Sequence, residues 1–106
     1  MIIYGLKNCD TCRKAIKALP DAELRDVRVD GVPKGVISSA LAQFGDALLN
    51  TRSTTWRGLD EVARQQEPLV LLEAHPALMK RPLIAVDKTL FLGWSSDIED
   101  KVNSLR

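Results

Sequence analysis

Between Met1 and Leu19 the chain changes period, and both of its cysteines fall at the change. Met1-Ile2-Ile3-Tyr4 is a short apolar, partly β-branched run followed by Gly5 and Asn8, as expected of a buried strand leaving into a loop. From Asp10 onward Cys12, Ala15, Ile16 and Leu19 recur at i, i+3, i+4 and i+7, one apolar stripe of a helix. Arg13, Lys14 and Lys17 take the opposite side, and Pro20 stops the helix. A strand that runs straight into a helix commits the chain to an α/β arrangement and puts Cys9 where the helix begins.

The rest of the chain supports one domain of that class. At 106 residues it is long enough to bury a core and too short for two domains. Leu24, Val27 and Val29, with charged residues between them, predict a second strand with one polar side. Asp30-Gly31-Val32-Pro33 is turn chemistry, and Pro33 stands where the first turn of a helix tolerates proline. Val36, Ile37, Ala40, Leu41 and Phe44 form the stripe of that helix, ended by Gly45. After the short apolar piece Ala47-Leu48-Leu49, residues Asn50 to Arg57 read as a polar, hydroxyl-rich loop holding Arg52. Leu59, Val62 and Ala63 predict a short helix. Pro68 and His75-Pro76 favour another over Leu69–Leu72. Leu83–Val86 and Thr89–Leu92, separated by Asp87-Lys88 and closed by Gly93, predict a hairpin. Ser96 and Glu99 have capping-box spacing, and Ile98, Val102 and Leu105 give a last amphipathic helix. The expected order is βα, β, two or three helices, then ββα.

Charge and composition exclude several function classes. Fifteen Lys and Arg against fourteen Asp and Glu give a net charge of +1, so no global field draws the chain to nucleic acid or to a membrane. No charged-then-apolar leader is present, and no apolar run approaches the ~20 residues of a membrane span, so a cytoplasmic protein is expected. Two closely spaced cysteines in a reducing compartment do not suit a structural staple. A zinc site would need two further ligands, and His75 is the only histidine, so no metal is expected.

What remains is thiol chemistry. The thiolate is the nucleophile, and it needs surroundings that favour negative charge. Cys9 stands at a helix N-terminus, with free backbone N–H groups and the positive end of the dipole close by. Lys7, Arg13 and Lys14 add positive charge, opposed by Asp10. Cys9 is therefore the expected nucleophile, with a depressed pKa. Cys12, one turn further in, is placed to resolve a mixed disulfide at Cys9, although its place on the apolar stripe suits a small core residue nearly as well. Arg52 and Arg81 are further candidates, since a guanidinium pairs with thiolates, carboxylates and oxyanions through its planar fork. By spacing alone either is an ordinary exposed arginine. His75, before a proline, reads as a cap or packing residue, and Trp56 and Trp94 as core or rim aromatics.

Several short motifs carry a family resemblance: Tyr4-Gly5, Asn8-Cys9-Asp10-Thr11, Leu48-Leu49-Asn50-Thr51-Arg52, Thr54-Thr55-Trp56-Arg57, Leu59-Asp60, His75-Pro76, Lys80-Arg81-Pro82-Leu83 and Leu92-Gly93. In these the chain resembles the Spx and arsenate reductase (ArsC-type) family, and within it the YffB-like branch. The resemblance implies a thioredoxin-like fold with a helical insertion, about residues 33–80, between the second and third strands. It implies that Pro82 is a cis-proline opening the third strand beside the redox cysteine, and that Arg81 and Arg52 approach Cys9. It further implies a glutathione-dependent thiol reductase with glutathione as cosubstrate and no bound metal or prosthetic group. Catalysis would then fall to Cys9, Cys12, Arg81 and Arg52, and glutathione binding to Arg52, Arg81, Lys7, Asn8 and Pro82.

Two other functions follow from the same resemblance. Arsenate reductases of the family grip the oxyanion with three arginines. Arg81 matches one, Arg52 lies two positions beyond the second, which is Asn50 here, and the third falls at about Gly93. An arsenate dianion needs several charge-assisted bonds to compete with water, so the lost arginine argues against arsenate reduction, in which glutaredoxin would be a partner. An Spx-like regulator would bind the RNA polymerase α C-terminal domain and use Cys9–Cys12 as a redox switch. The Cys-x-x-Cys favours that reading. The loop from Asn50 to Trp56 and the end at Arg106 without a basic tail count against it.

Overall fold

In the computed structural model, which describes residues 1–105, β1 (Ile2–Gly5) is an inner strand of a four-stranded sheet. The sheet order is β2-β1-β3-β4, with β2 at Glu23–Asp26, β3 at Leu83–Val86 and β4 at Thr89–Leu92. β1 runs parallel to β2 and antiparallel to β3, and β3 and β4 form the antiparallel hairpin. An inner strand flanked on both sides reads as a continuous apolar run, which is why Ile3, Tyr4, Leu83 and Ile84 are all buried. Asp87 takes up φ 53° at the hairpin turn, a conformation that aspartate tolerates better than most residues.

The chain separates into two compact units: residues 1–30 together with the chain from Arg81 onward, and Gly31–Lys80. In the first unit, α1 (Asp10–Ala18) and α7 (Ser96–Ser104) pack on one face of the sheet. Ile3, Ile84 and Val86 supply the sheet side of that core, Ala15 and Leu19 the α1 side, and Val102 the α7 side. Ile3 pairs with Ile84 in register, so alternate residues of neighbouring strands reach the same helices. Complete burial of a side chain such as Leu19 contributes about 1.5–3 kcal/mol. The connection α1–β2 is the crossover that a parallel pair requires. With the helical unit lying in the chain between the second and third strands, this is the thioredoxin-like arrangement.

In three places the first unit departs from its periodicity. β2 ends at Asp26, and Val27–Asp30 is a helical turn, α2, rather than more strand. The Asp26 carboxylate accepts the Arg28 N–H (2.9 Å), offering the backbone a local partner in place of the ladder. Val27 is consequently buried while Val29 is 79% exposed, a split that strand alternation does not produce. The cap of α7 is Ser95, whose Oγ accepts the Ile98 N–H (3.2 Å), so Ser96 is the first helical residue and the capping-box reading is one position late. Leu105 lies past the end of that helix and is exposed; Val102 and the half-buried Ile98 carry its packing.

The second unit is helical. α3 (Lys34–Phe44) buries Ile37 and Ala40 and ends at Gly45, where φ is 60°. A 3₁₀ turn (Gly45–Leu48) leads to a bridge between Leu49 and Met79, where the Asn50 N–H donates to Leu78 O and the Lys80 N–H to Leu48 O, both at 2.8 Å. The polar stretch after Asn50 is not all loop. Ser53 accepts the Trp56 N–H (3.1 Å) and so starts the helical turn α4 (Thr54–Arg57). Asp60 caps α5 (Glu61–Arg64) in the same way, accepting the Ala63 N–H at 2.7 Å, and Val62 faces solvent on that helix. α6 (Pro68–Ala74) has Pro68 in its first turn, packs on α3 and buries Leu71 and Leu72. Among the described residues no helix is long and apolar enough to cross a membrane.

Candidate active site

Cys9 is the N-cap residue of α1, with extended backbone (φ −90°, ψ 123°). Its own N–H donates back to Leu6 O (3.2 Å), and its carbonyl accepts the first helical bond, from Arg13 N–H (2.9 Å). The tight Leu6–Cys9 turn therefore ends at the sulfur-bearing residue, which is partly exposed between the exposed Lys7, Asn8 and Asp10. The Cys9 sulfur makes no capping bond of ordinary geometry, yet the Cys12 N–H, one turn in, lies close enough to favour negative charge on it.

The Cys9 thiol is held below its ordinary pKa. Partial burial is the largest single influence and works against the thiolate. It is outweighed by the Cys12 N–H, the Cys12 thiol, a hydrogen bond from the Arg81 side chain and the Arg81 charge. Arg81 is thus the cation acting on Cys9. Of the nearby basic residues, Arg13 turns its Nε to Lys7 O (3.0 Å) and lies 3.8 Å from the Asp10 carboxylate. The expectation that local basic residues supply this charge is corrected: the helix terminus does act, but the cation comes from the start of β3.

Cys12 behaves oppositely. It is fully buried on the α1 stripe, and burial pushes its thiol up to about 11. The Leu6 N–H favours its thiolate, but the bond to Cys9 and the charge there favour keeping the proton on Cys12. At pH 7 such a thiol keeps its proton. Within this pair, then, one sulfur is favoured as thiolate and the other keeps its proton.

Cys9, Cys12 and Arg81 are brought together by two stretches of the first unit that lie far apart in the chain. The Arg81–Pro82 peptide is cis, Pro82 is buried, and its carbonyl accepts the Gly93 N–H at 2.8 Å. Arg52 belongs to the second unit. It is exposed, and its N–H donates to the Asn50 side chain (3.2 Å) in a turn that Ser53 continues by donating to Asn50 O (2.7 Å). His75 terminates α6 and opens the next 3₁₀ turn through its backbone, donating to Leu71 O and accepting from the Leu78 N–H. Trp56 is half-buried with the Arg64 guanidinium 5.5 Å from its ring centre, and Trp94 packs against the core of the first unit. No group of three or more His, Cys, Asp or Glu side chains among the described residues could hold a metal ion.

The chain is similar to known proteins. An uncharacterized protein of Haemophilus influenzae is 43% identical over 102 residues, covering 88% of this chain and 90% of its own. The global transcriptional regulator Spx of Bacillus subtilis is 28% identical over 105 residues, covering 90% of this chain and 80% of its own. The solved structure of the YFFB protein matches with a TM-score of 0.85 at 26% identity, over 95% of this chain and 96% of that one. Residues 4–101 match the ArsC family, a span that holds Cys9, Cys12 and Arg81 and runs into α7; the chain belongs to the ArsC family.

Proposed function

We propose that the protein is a thiol–disulfide oxidoreductase that uses Cys9 as its nucleophile and glutathione as its reductant. The observation that carries this reading is the lowered Cys9 thiol, partly exposed and stabilised as thiolate by Arg81 and by the N–H and S–H groups of Cys12. In the forward step the Cys9 thiolate attacks the glutathione sulfur of a mixed disulfide. A Cys9–glutathione bond forms, the substrate's S–S bond breaks, and the substrate leaves as a thiolate that takes a proton from water. A second glutathione thiolate then attacks the glutathione sulfur bound to Cys9. Oxidised glutathione departs and the Cys9 thiolate returns.

The external thiol suits the second step better than Cys12 does. Once Cys9 is in a mixed disulfide it no longer raises the Cys12 thiol, but the burial that does most of the raising remains. The product-releasing nucleophile is accordingly assigned to glutathione. Lys7, Asn8 and Pro82 are proposed as its binding residues alongside Arg81. A glutathione-coupled NADPH assay on a glutathionylated substrate tests the reading. Turnover that is lost in Cys9→Ser is expected; no turnover, or turnover unchanged in Cys9→Ser, overturns it.

A regulatory role is the second reading, favoured by the similarity to Spx of Bacillus subtilis over 90% of the chain. In it the protein binds the RNA polymerase α C-terminal domain and Cys9–Cys12 switches that binding. Capture of that domain by the reduced and oxidised protein, with different affinities, is the expected outcome. No capture in either state rejects it.

A further inference from the structure

Gly5 is a glycine in the wrong place for the usual reasons. It is the last residue of β1, paired with Asp26 on β2, and it is not among the glycines with positive φ. Its backbone conformation is therefore open to any residue, and a glycine inside a strand weakens it. What the position requires is space. A Cβ at Gly5 would lie 2.6 Å from Cys12 Sγ, 3.4 Å from Cys12 Cβ and 3.9 Å from Leu24 Cδ1. The first distance is about an ångström inside the ~3.5–4.0 Å at which non-bonded heavy atoms attract. The other two are tolerable. Gly5 shares the sheet face of Ile3, which packs against Ala15 and Leu19, so Cys12 meets the strand at the one position on that face where no side chain stands.

We propose that Gly5 is a positioning residue for the thiol pair: the missing side chain forms the seat of Cys12 Sγ and keeps that thiol directed at Cys9. The inference rests on the reading of Cys9 as nucleophile. The seat is closed from the other side by the helix, since Cys12 is fully buried, and the Leu6 N–H next to Gly5 also addresses the Cys12 sulfur. With strand backbone beneath it and the Leu6 N–H beside it, the sulfur has Cys9 as its side-chain hydrogen-bond partner. A methyl group at position 5 must displace either Cys12 Sγ or the start of α1. Either movement weakens the bond to Cys9, leaving the Cys12 N–H and Arg81 to favour the thiolate there.

The test is a double-mutant cycle of Gly5→Ala and Cys12→Ala in the full chain, read by the pH profile of Cys9 alkylation with iodoacetamide, by mass-resolved labelling of Cys12 and by urea denaturation. Gly5→Ala is expected to slow Cys9 alkylation at pH 6 by about tenfold, the effect of one pKa unit, and to open Cys12 to labelling. In the Cys12→Ala background the same change is expected to leave the Cys9 profile within twofold, because the atom it displaces is gone. Unaltered Cys9 and Cys12 reactivity in Gly5→Ala overturns the proposal, as does an equal loss with and without Cys12. If Gly5→Ala does not fold, Gly5→Ala/Cys12→Ala decides: a folded double mutant with the Cys9 profile of Cys12→Ala supports the seat, and an unfolded one refutes it. Absence of glutathione-linked turnover in the parent protein, with the cycle behaving as expected, rejects the oxidoreductase reading and leaves the role of Gly5 intact.

Discussion

The Arg81 side chain, set immediately before Pro82 at the entry to β3, hydrogen-bonds the sulfur of Cys9 at the N-terminus of α1. This pairing couples the hairpin half of the first unit to its opening strand and helix. A thiol at a helix terminus gains from the dipole and from N–H groups, but that gain is modest at a partly exposed site. A guanidinium bonded to the sulfur adds charge and direction together.

Removing that guanidinium is expected to raise the Cys9 pKa. Arg81→Ala should slow alkylation of Cys9 at pH 6 by about tenfold, with the difference closing above the pKa of a free thiol near 8.5. Arg81→Lys keeps a charge without the planar fork and should fall between the two. Rates equal to wild type across the pH range would remove Arg81 from the site.

The two cysteines make opposite contributions to stability as pH changes. Because the folded pKa of Cys9 is lowered, the unfolded chain holds the extra proton between that value and about 8.5, and stability rises with pH there. Cys12, raised to about 11, keeps its proton in the folded state after the unfolded chain has lost it, so stability falls from about pH 8.5 to 11. The slope for one such proton is about 1.4 kcal/mol per pH unit. Urea unfolding of wild type and Cys12→Ala between pH 8.5 and 10.5 should show the alkaline loss reduced in the variant. Parallel curves would show that Cys12 does not titrate abnormally.

Ser95→Ala should cost about 0.5–2 kcal/mol, because it leaves the Ile98 N–H without its side-chain acceptor. Ser96→Ala should be nearly silent, since the first helical residue needs no side-chain cap. Thermal or urea denaturation distinguishes them, and a larger loss at Ser96 would move the helix start by one residue.

Leu19→Ala removes a fully buried side chain from between α1 and the sheet and should destabilise by about 2–5 kcal/mol. Val29→Ser, at a residue 79% exposed, should change stability by less than about 0.5 kcal/mol. Similar losses at the two positions would restore Val29 to a buried strand.

Local sequence chemistry determined much of this protein. The stripe Cys12, Ala15, Ile16 and Leu19, the hairpin around Asp87-Lys88, and the helix limits at Gly45 and Pro68 each depend on contacts within a few residues, so periodicity and turn preference suffice to find them. The place of Cys9 at the start of α1 was legible for the same reason, because a helix N-terminus is a local object. Tertiary structure decided the rest. Valine spacing could not tell the strand ending at Asp26 from the helical turn after it, since the Asp26 carboxylate competes for the Arg28 N–H only once the chain has turned. The full burial of Cys12 against β1 beside Leu6 is likewise a product of the fold, not of its place on the helical stripe alone. The cation that serves Cys9 is Arg81 and not its neighbours Lys7, Arg13 or Lys14, because sheet pairing delivers the start of β3 to the thiol while Arg13 bonds Lys7 O. Charge close by in sequence is not charge close to the sulfur, and only the folded sheet sets that distance.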